Sequence, residues 1–144
     1  MMLTRKDEEL IALLKLNARE SVASLARRLG LSRTTVQDRL KRLEEQRVIE
    51  GYSVKLSDET NRGGISAYVS LEVEPRRAVE VTSALTSIAQ IEALYTVSGK
   101  YDILALVTAR STDAIDRLLD EIGQIGGVTR TDSAIVLSTK LDRR

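Results

Sequence analysis

The 144-residue chain contains no cysteine and no histidine. Those two absences exclude disulfides, thiol nucleophiles, imidazole acid–base catalysis and nearly every zinc site. A cysteine-free chain also suits a reducing cytoplasm, which is the expected location. Tryptophan and phenylalanine are missing too, leaving four tyrosines, 3% of the residues, as the only aromatics. Stacking platforms for single-stranded nucleic acid are therefore not expected. Proline occurs once, and no apolar run approaches the roughly 18 residues a membrane span requires. The opening residues lack the apolar core of a signal peptide, so no leader and no membrane partner are expected. What remains is a globular balance of 42% hydrophobic and 30% charged residues, enough for one mixed domain or two small ones.

The net charge of +1 conceals an asymmetry. Residues 1–64 carry 13 Lys and Arg against 10 Asp and Glu, a net +3, and residues 65–144 carry 9 against 11, a net −2. Basic excess in the first half points to nucleic acid only where a motif gathers it on one face.

The apolar spacing supplies that motif. Thr4 and Asp7 form a capping-box pattern ahead of Leu10, Ile11, Leu13 and Leu14 at helical spacing. Ser21 caps a second helix with Val22, Leu25, Ala26 and Leu29 on one side, and Gly30 ends it. After Leu31, Ser32 caps a third helix, whose buried stripe is Val36, Leu40 and Leu43. Two helices joined across Gly30-Leu31-Ser32 make a helix-turn-helix, with a small residue, Ala26, at the crossing. The opposite face of the third helix then presents Arg33, Thr34, Gln37, Asp38, Lys41 and Arg42, with Thr35 near the rim. It is polar and mostly basic, as a helix in a major groove requires. Arg27 and Arg28 on the preceding helix point toward phosphates, and Asp38 suits a cytosine amino group or a neighbouring arginine. Arg39, beside Glu44 and Glu45, is available to DNA or to a surface pair. Between Arg19 and Arg47, eight basic residues face four acidic ones.

The period then changes. Ile49, Tyr52, Val54 and Leu56 suggest short extended pieces around Gly51, a wing completing a domain over residues 1–56. Residues 57–64 are polar and glycine-ended, hence a linker. From 65 to 144 the pattern reads βαββαβ: a strand at 65–74, a helix from Pro75 to about Gln90, strands at 91–98 and 101–109, a helix capped by Ser111, and a last strand at 128–141. That order is ferredoxin-like, and the fold class is α+β.

The run LARRLGLSRTTVQDRLKRLEEQRVIEGY resembles the DNA-binding half of the Lrp/AsnC (feast/famine) transcriptional regulators. SGKYDILALV and GVTRTDSAIVL resemble two segments of that family's RAM regulatory domain, so the likeness spans the chain in family order. Two positions depart from the pattern: Gln46-Arg47 stands where glycine is common, and Ser133 where threonine is frequent. The resemblance implies a homodimer assembled further into tetramers or octamers, double-stranded DNA as partner, no cofactor, and a small amino acid as effector. Carried over by position, the effector site comprises Ser98, Gly99, Lys100, Tyr101 and Asp102 with Ser133 and Ala134. Asp102 there meets an α-ammonium or merely stabilises the turn, and Lys100 favours an anion or faces solvent. The competing readings are an architectural DNA-binding protein without effector control and an enzyme. The missing histidine and the lack of a paired constellation weigh against the enzyme.

Overall fold

A computed structural model of the chain describes residues 2–57, 59–60 and 63–144. Two units are distinct, one running to Lys55 and one starting at Leu56.

The first unit holds three helices: α1 (Arg5–Leu16), α2 (Val22–Leu29) and α3 (Arg33–Glu45). Each begins where a hydroxyl answers a free amide. Thr4 accepts from the Asp7 N–H at 3.2 Å while Asp7 Oδ2 accepts from the Thr4 N–H at 3.0 Å, completing the capping box. Ser21 accepts from the Ser24 N–H, and Ser32 from the Thr35 N–H. Gly30 ends α2 at φ +66°, and the Leu31 N–H closes back on the Ala26 carbonyl at 2.9 Å. The end of α3 repeats this closure, with the Val48 N–H donating to the Leu43 carbonyl at 2.9 Å. There the left-handed residue is Arg47, at φ +55°. Leu10, Leu25, Ala26, Leu29, Val36 and Leu43 form the core, and Lys6 Nζ donates to the Leu29 carbonyl at the end of α2.

The expected wing forms no ladder. Residues 50–56 pair with no strand, and Tyr52, Val54 and Leu56 are exposed. An alternating segment becomes a strand only against a partner edge, and the described residues offer it none. Tyr52 instead donates its hydroxyl hydrogen to Glu44 at 2.8 Å.

The second unit is a four-stranded antiparallel sheet in the order β2-β3-β1-β4, with β1 (Ile65–Val73), β2 (Ile91–Thr96), β3 (Ile103–Ala109) and β4 (Val128–Ile135). Helices α4 (Ala78–Thr86) and α5 (Thr112–Gly123) supply the apolar layer against one face. The α+β, ferredoxin-like architecture read from the sequence is the one observed. Alternation along β1 sends Ala67, Val69, Leu71 and Val73 into a core shared with Val81, Leu85, Val107, Ile115, Leu118 and Ile122. Ser66, Tyr68, Ser70 and Glu72 line the other face.

Several boundaries contract. Pro75–Arg77 is a 3₁₀ turn, and α4 stops at Thr86, well short of Gln90. Thr82 and Thr86 each donate a hydroxyl hydrogen to the carbonyl four residues back, a bond that weakens a helix near its end. Strand β4 ends at Ile135, opposite Ala67, with one further bond from the Val136 N–H to the Ser66 carbonyl at 2.8 Å, so the last strand is shorter than the expected 128–141. No helix among the described residues is long and apolar enough to cross a membrane.

Candidate nucleic-acid interface and effector pocket

At about 100° per residue, Thr34, Gln37, Asp38 and Lys41 lie roughly 90–170° around α3 from its buried stripe. All four are exposed. Arg33 is exposed at the first position of α3, beside a shallow depression shared with Arg27, Gly30 and Ser32. Arg27 and Arg33 have no ion pair among the described residues. Ser32 and Thr35 are occupied at the cap, their hydroxyl oxygens 2.7 Å apart.

The remaining cations are engaged elsewhere. Arg28 bonds both carboxylate oxygens of Glu20 at 3.2 Å. Arg39 and Arg42 turn toward α1, where Asp7 Oδ1 accepts from Arg39 at 2.9 Å and from Arg42 at 2.7 Å. The Asp7 side chain is 1% exposed, that of Arg39 21% and that of Arg42 44%. Arg39 also donates to the Thr4 hydroxyl, and its Nε is buried without a partner among the described residues. Burial works to raise the Asp7 pKa, but the bonds from the Thr4 N–H, Arg39 and the Thr4 hydroxyl, with the charge of Arg42, prevail and hold it below the usual carboxylate range. The outermost residues of α3 are balanced, Arg33 and Lys41 against Asp38 and Glu45, with Lys41 Nζ 3.9 Å from Glu45, while the Asp7–Arg39–Arg42 cluster on the flank keeps a net +1. The basic excess counted along the sequence does not all face outward.

In the second unit, Ser98, Gly99 and Lys100 form the exposed tip of the β2–β3 hairpin. Asp102 is tied by three handles. Its N–H donates to the Leu71 carbonyl at 2.8 Å, its carbonyl accepts from the Val97 N–H at 3.0 Å, and Oδ2 accepts from the Val73 N–H at 2.9 Å. The carboxylate therefore anchors the hairpin to β1 through Oδ2, and among the described residues Oδ1 accepts no further bond. Tyr101 reaches β4: its hydroxyl approaches Asp132 at 3.5 Å, and Lys100 Nζ and Arg130 Cζ lie 5.8 and 5.9 Å from its ring centre.

Ser133 and Ala134 pair with Val69 and Tyr68, so they project from opposite faces of the sheet. Only Ala134 shares a face with Arg130 and Asp132, which pair with Glu72 and Ser70. Arg130 and Asp132 are the residues that reading the sequence missed. Their period of two within Thr129-Arg130-Thr131-Asp132 was the available signal. The cluster of Lys100, Tyr101, Arg130 and Asp132 offers both charge signs over one apolar ring, a donor and acceptor set matched to a small zwitterion. The described residues hold no acidic cluster suited to a metal ion.

Two family models match successive parts of the chain. The AsnC-type helix-turn-helix domain matches residues 3–44, and the Lrp/AsnC ligand binding domain matches residues 66–144. The transcriptional regulator LrpA of Pyrococcus horikoshii is 31% identical over 137 residues, covering 94% of this chain and 97% of that protein. LrpA of Mycobacterium tuberculosis is 34% identical over 134 residues, covering 92% and 89%. A solved feast or famine regulatory protein from M. tuberculosis, complexed with L-methionine, superposes with a TM-score of 0.90 at 33% identity, covering 99% of this chain and 97% of that one.

Proposed function

The chain belongs to the Lrp/AsnC family of transcriptional regulators, whose named relatives are regulators rather than enzymes, and from that premise we propose how it works. It binds double-stranded DNA in a sequence-specific manner as a homodimer or higher assembly in the cytoplasm. An amino acid adjusts its assembly and its DNA affinity. Residues 1–56 read DNA, residues 57–64 link, and residues 65–144 pair the protomers and hold the effector.

The observation that carries specificity is the near-neutral outer face of α3. Binding driven by phosphates alone needs a surplus of unpaired cations, and this face presents Thr34, Gln37, Asp38 and Lys41 instead. Arg27 and Arg33 remain for the phosphates that fix register. In a dimer, two copies of α3 spaced by about 34–36 Å read half-sites one turn apart.

For the effector, the likeness to a protein solved with L-methionine supports an amino-acid ligand, and the charge pattern of Lys100, Tyr101, Arg130 and Asp132 is our reason for placing it near the hairpin tip. Lys100 and Arg130 suit its carboxylate, and Asp132 or Oδ1 of Asp102 suits its ammonium. Ser98, Gly99, Tyr101, Ser133 and Ala134 border the same end of the sheet or the adjoining edge strand. An effector that prefers one assembly over another shifts the population of the DNA-binding form.

Calorimetric titration of the full chain with each of the twenty amino acids, alongside sedimentation velocity, tests the reading. One or a few amino acids are expected to bind, to change the assembly, and to lose affinity in Asp132→Asn and Arg130→Gln. An assembly indifferent to all twenty refutes effector control and favours the architectural alternative.

A further inference from the structure

From the geometry of the first unit we propose that Asp7 is a positioning residue for DNA discrimination, acting through Arg39 and Arg42. The proposal rests on the reading of α3 as the DNA-contacting helix and adds a determinant on α1.

Three observations carry it. One carboxylate oxygen of a side chain only 1% exposed receives both arginines, at 2.9 and 2.7 Å. Arg39 and Arg42 are three residues apart, so Asp7 grips adjacent turns of α3 and opposes rotation of that helix about its own axis. Asp7 is itself held by the capping box with Thr4, and Thr4 accepts a further bond from Arg39. The grip therefore originates in the capped first turn of α1.

The consequence is electrostatic as well as geometric. Arg42 is 44% exposed on the flank of α3, within reach of solvent and therefore of phosphate once released. While Asp7 holds it, it adds little to sequence-independent attraction. Asp7 thereby withdraws cations from the term that binds all DNA alike and leaves discrimination to the polar face.

The test uses the full chain, a random-sequence duplex and a duplex selected from a randomised pool by the wild-type protein. Log affinity is measured against log salt for wild type, Asp7→Asn, Arg42→Gln and the double variant. Asp7→Asn keeps the side-chain shape and removes the charge. It is expected to steepen the random-duplex salt slope by about one unit and to lower the selected-to-random ratio. Arg42→Gln alone, which retains the Asp7–Arg39 pair, leaves the slope unchanged. The double variant returns it to the wild-type value, a restoration that simple destabilisation does not produce. An unchanged slope in Asp7→Asn, a flatter one in Arg42→Gln alone, or no restoration in the double variant overturns the proposal. If the wild type selects no duplex from the pool and leaves the random duplex unbound, the DNA reading of α3 fails first and takes the proposal with it.

Discussion

Two helices in the first unit end in the same closure with different residues at the turn. Gly30 takes φ +66° after α2, and Arg47 takes φ +55° after α3. In each, the following N–H returns to the carbonyl five residues back, Leu31 to Ala26 and Val48 to Leu43, both at 2.9 Å. A left-handed backbone costs an L residue roughly 1–2 kcal/mol, and glycine nothing. Glycine gives back about 0.4–1 kcal/mol through the freer unfolded chain. Arg47→Gly should therefore stabilise the unit by about 0.5–1 kcal/mol, and Gly30→Ala should destabilise it by about 1 kcal/mol. No atom lies within 4 Å of a Cβ built at Gly30, so that cost is conformational and not steric. For a unit this small, 1 kcal/mol moves Tm by about 4–8 °C. Urea and thermal unfolding of both variants measure the effect, with Gly30→Asn as a control losing less than alanine. Destabilisation by Arg47→Gly, or no loss in Gly30→Ala, would show that the left-handed backbone does not set these energies.

Exposed positions on α3 should separate by role. Thr34→Ala or Gln37→Ala should change base preference in a selection experiment, whereas Arg27→Ala should weaken all duplexes alike and flatten the salt slope by about one unit. The depressed Asp7 pKa gives a definite sign: its stabilisation is fully present above the unfolded value near 3.8 and is lost as pH falls through the folded pKa. Urea midpoints taken down the acid range should fall for wild type, with that component missing in Asp7→Asn. At Gly127, φ is +104° and an added Cβ would lie 2.8 Å from both Arg77 Cβ and Val81 Cγ2. Gly127→Ala should thus cost about 3 kcal/mol or more by urea unfolding, well beyond Gly30→Ala.

Local signals carried much of this architecture. Thr4, Ser21, Ser32 and Ser111 cap the helices that their positions announced, because a cap is decided within three residues. The strand expected at 65–74 likewise formed as β1 over Ile65–Val73. What escaped depends on partners far away in the chain. Arg39 and Arg42 read as outward cations because Asp7 lies more than thirty residues earlier. The wing read as strand because alternation reports a face and not the presence of a neighbouring edge. Tyr101 and Asp132 meet only because the sheet order sets β1 between their strands, and spacing along the sequence contains no trace of that.

Discrimination under effector control separates a regulator of this kind from an architectural DNA-binding protein. Fluorescence anisotropy of the full chain on DNA upstream of its own gene and on a random duplex, each with every amino acid in turn, tests it most directly. Tighter binding to the upstream duplex is expected, with a change in that affinity in the presence of one or a few amino acids. Equal, salt-steep binding to both duplexes, unmoved by any amino acid, would contradict it.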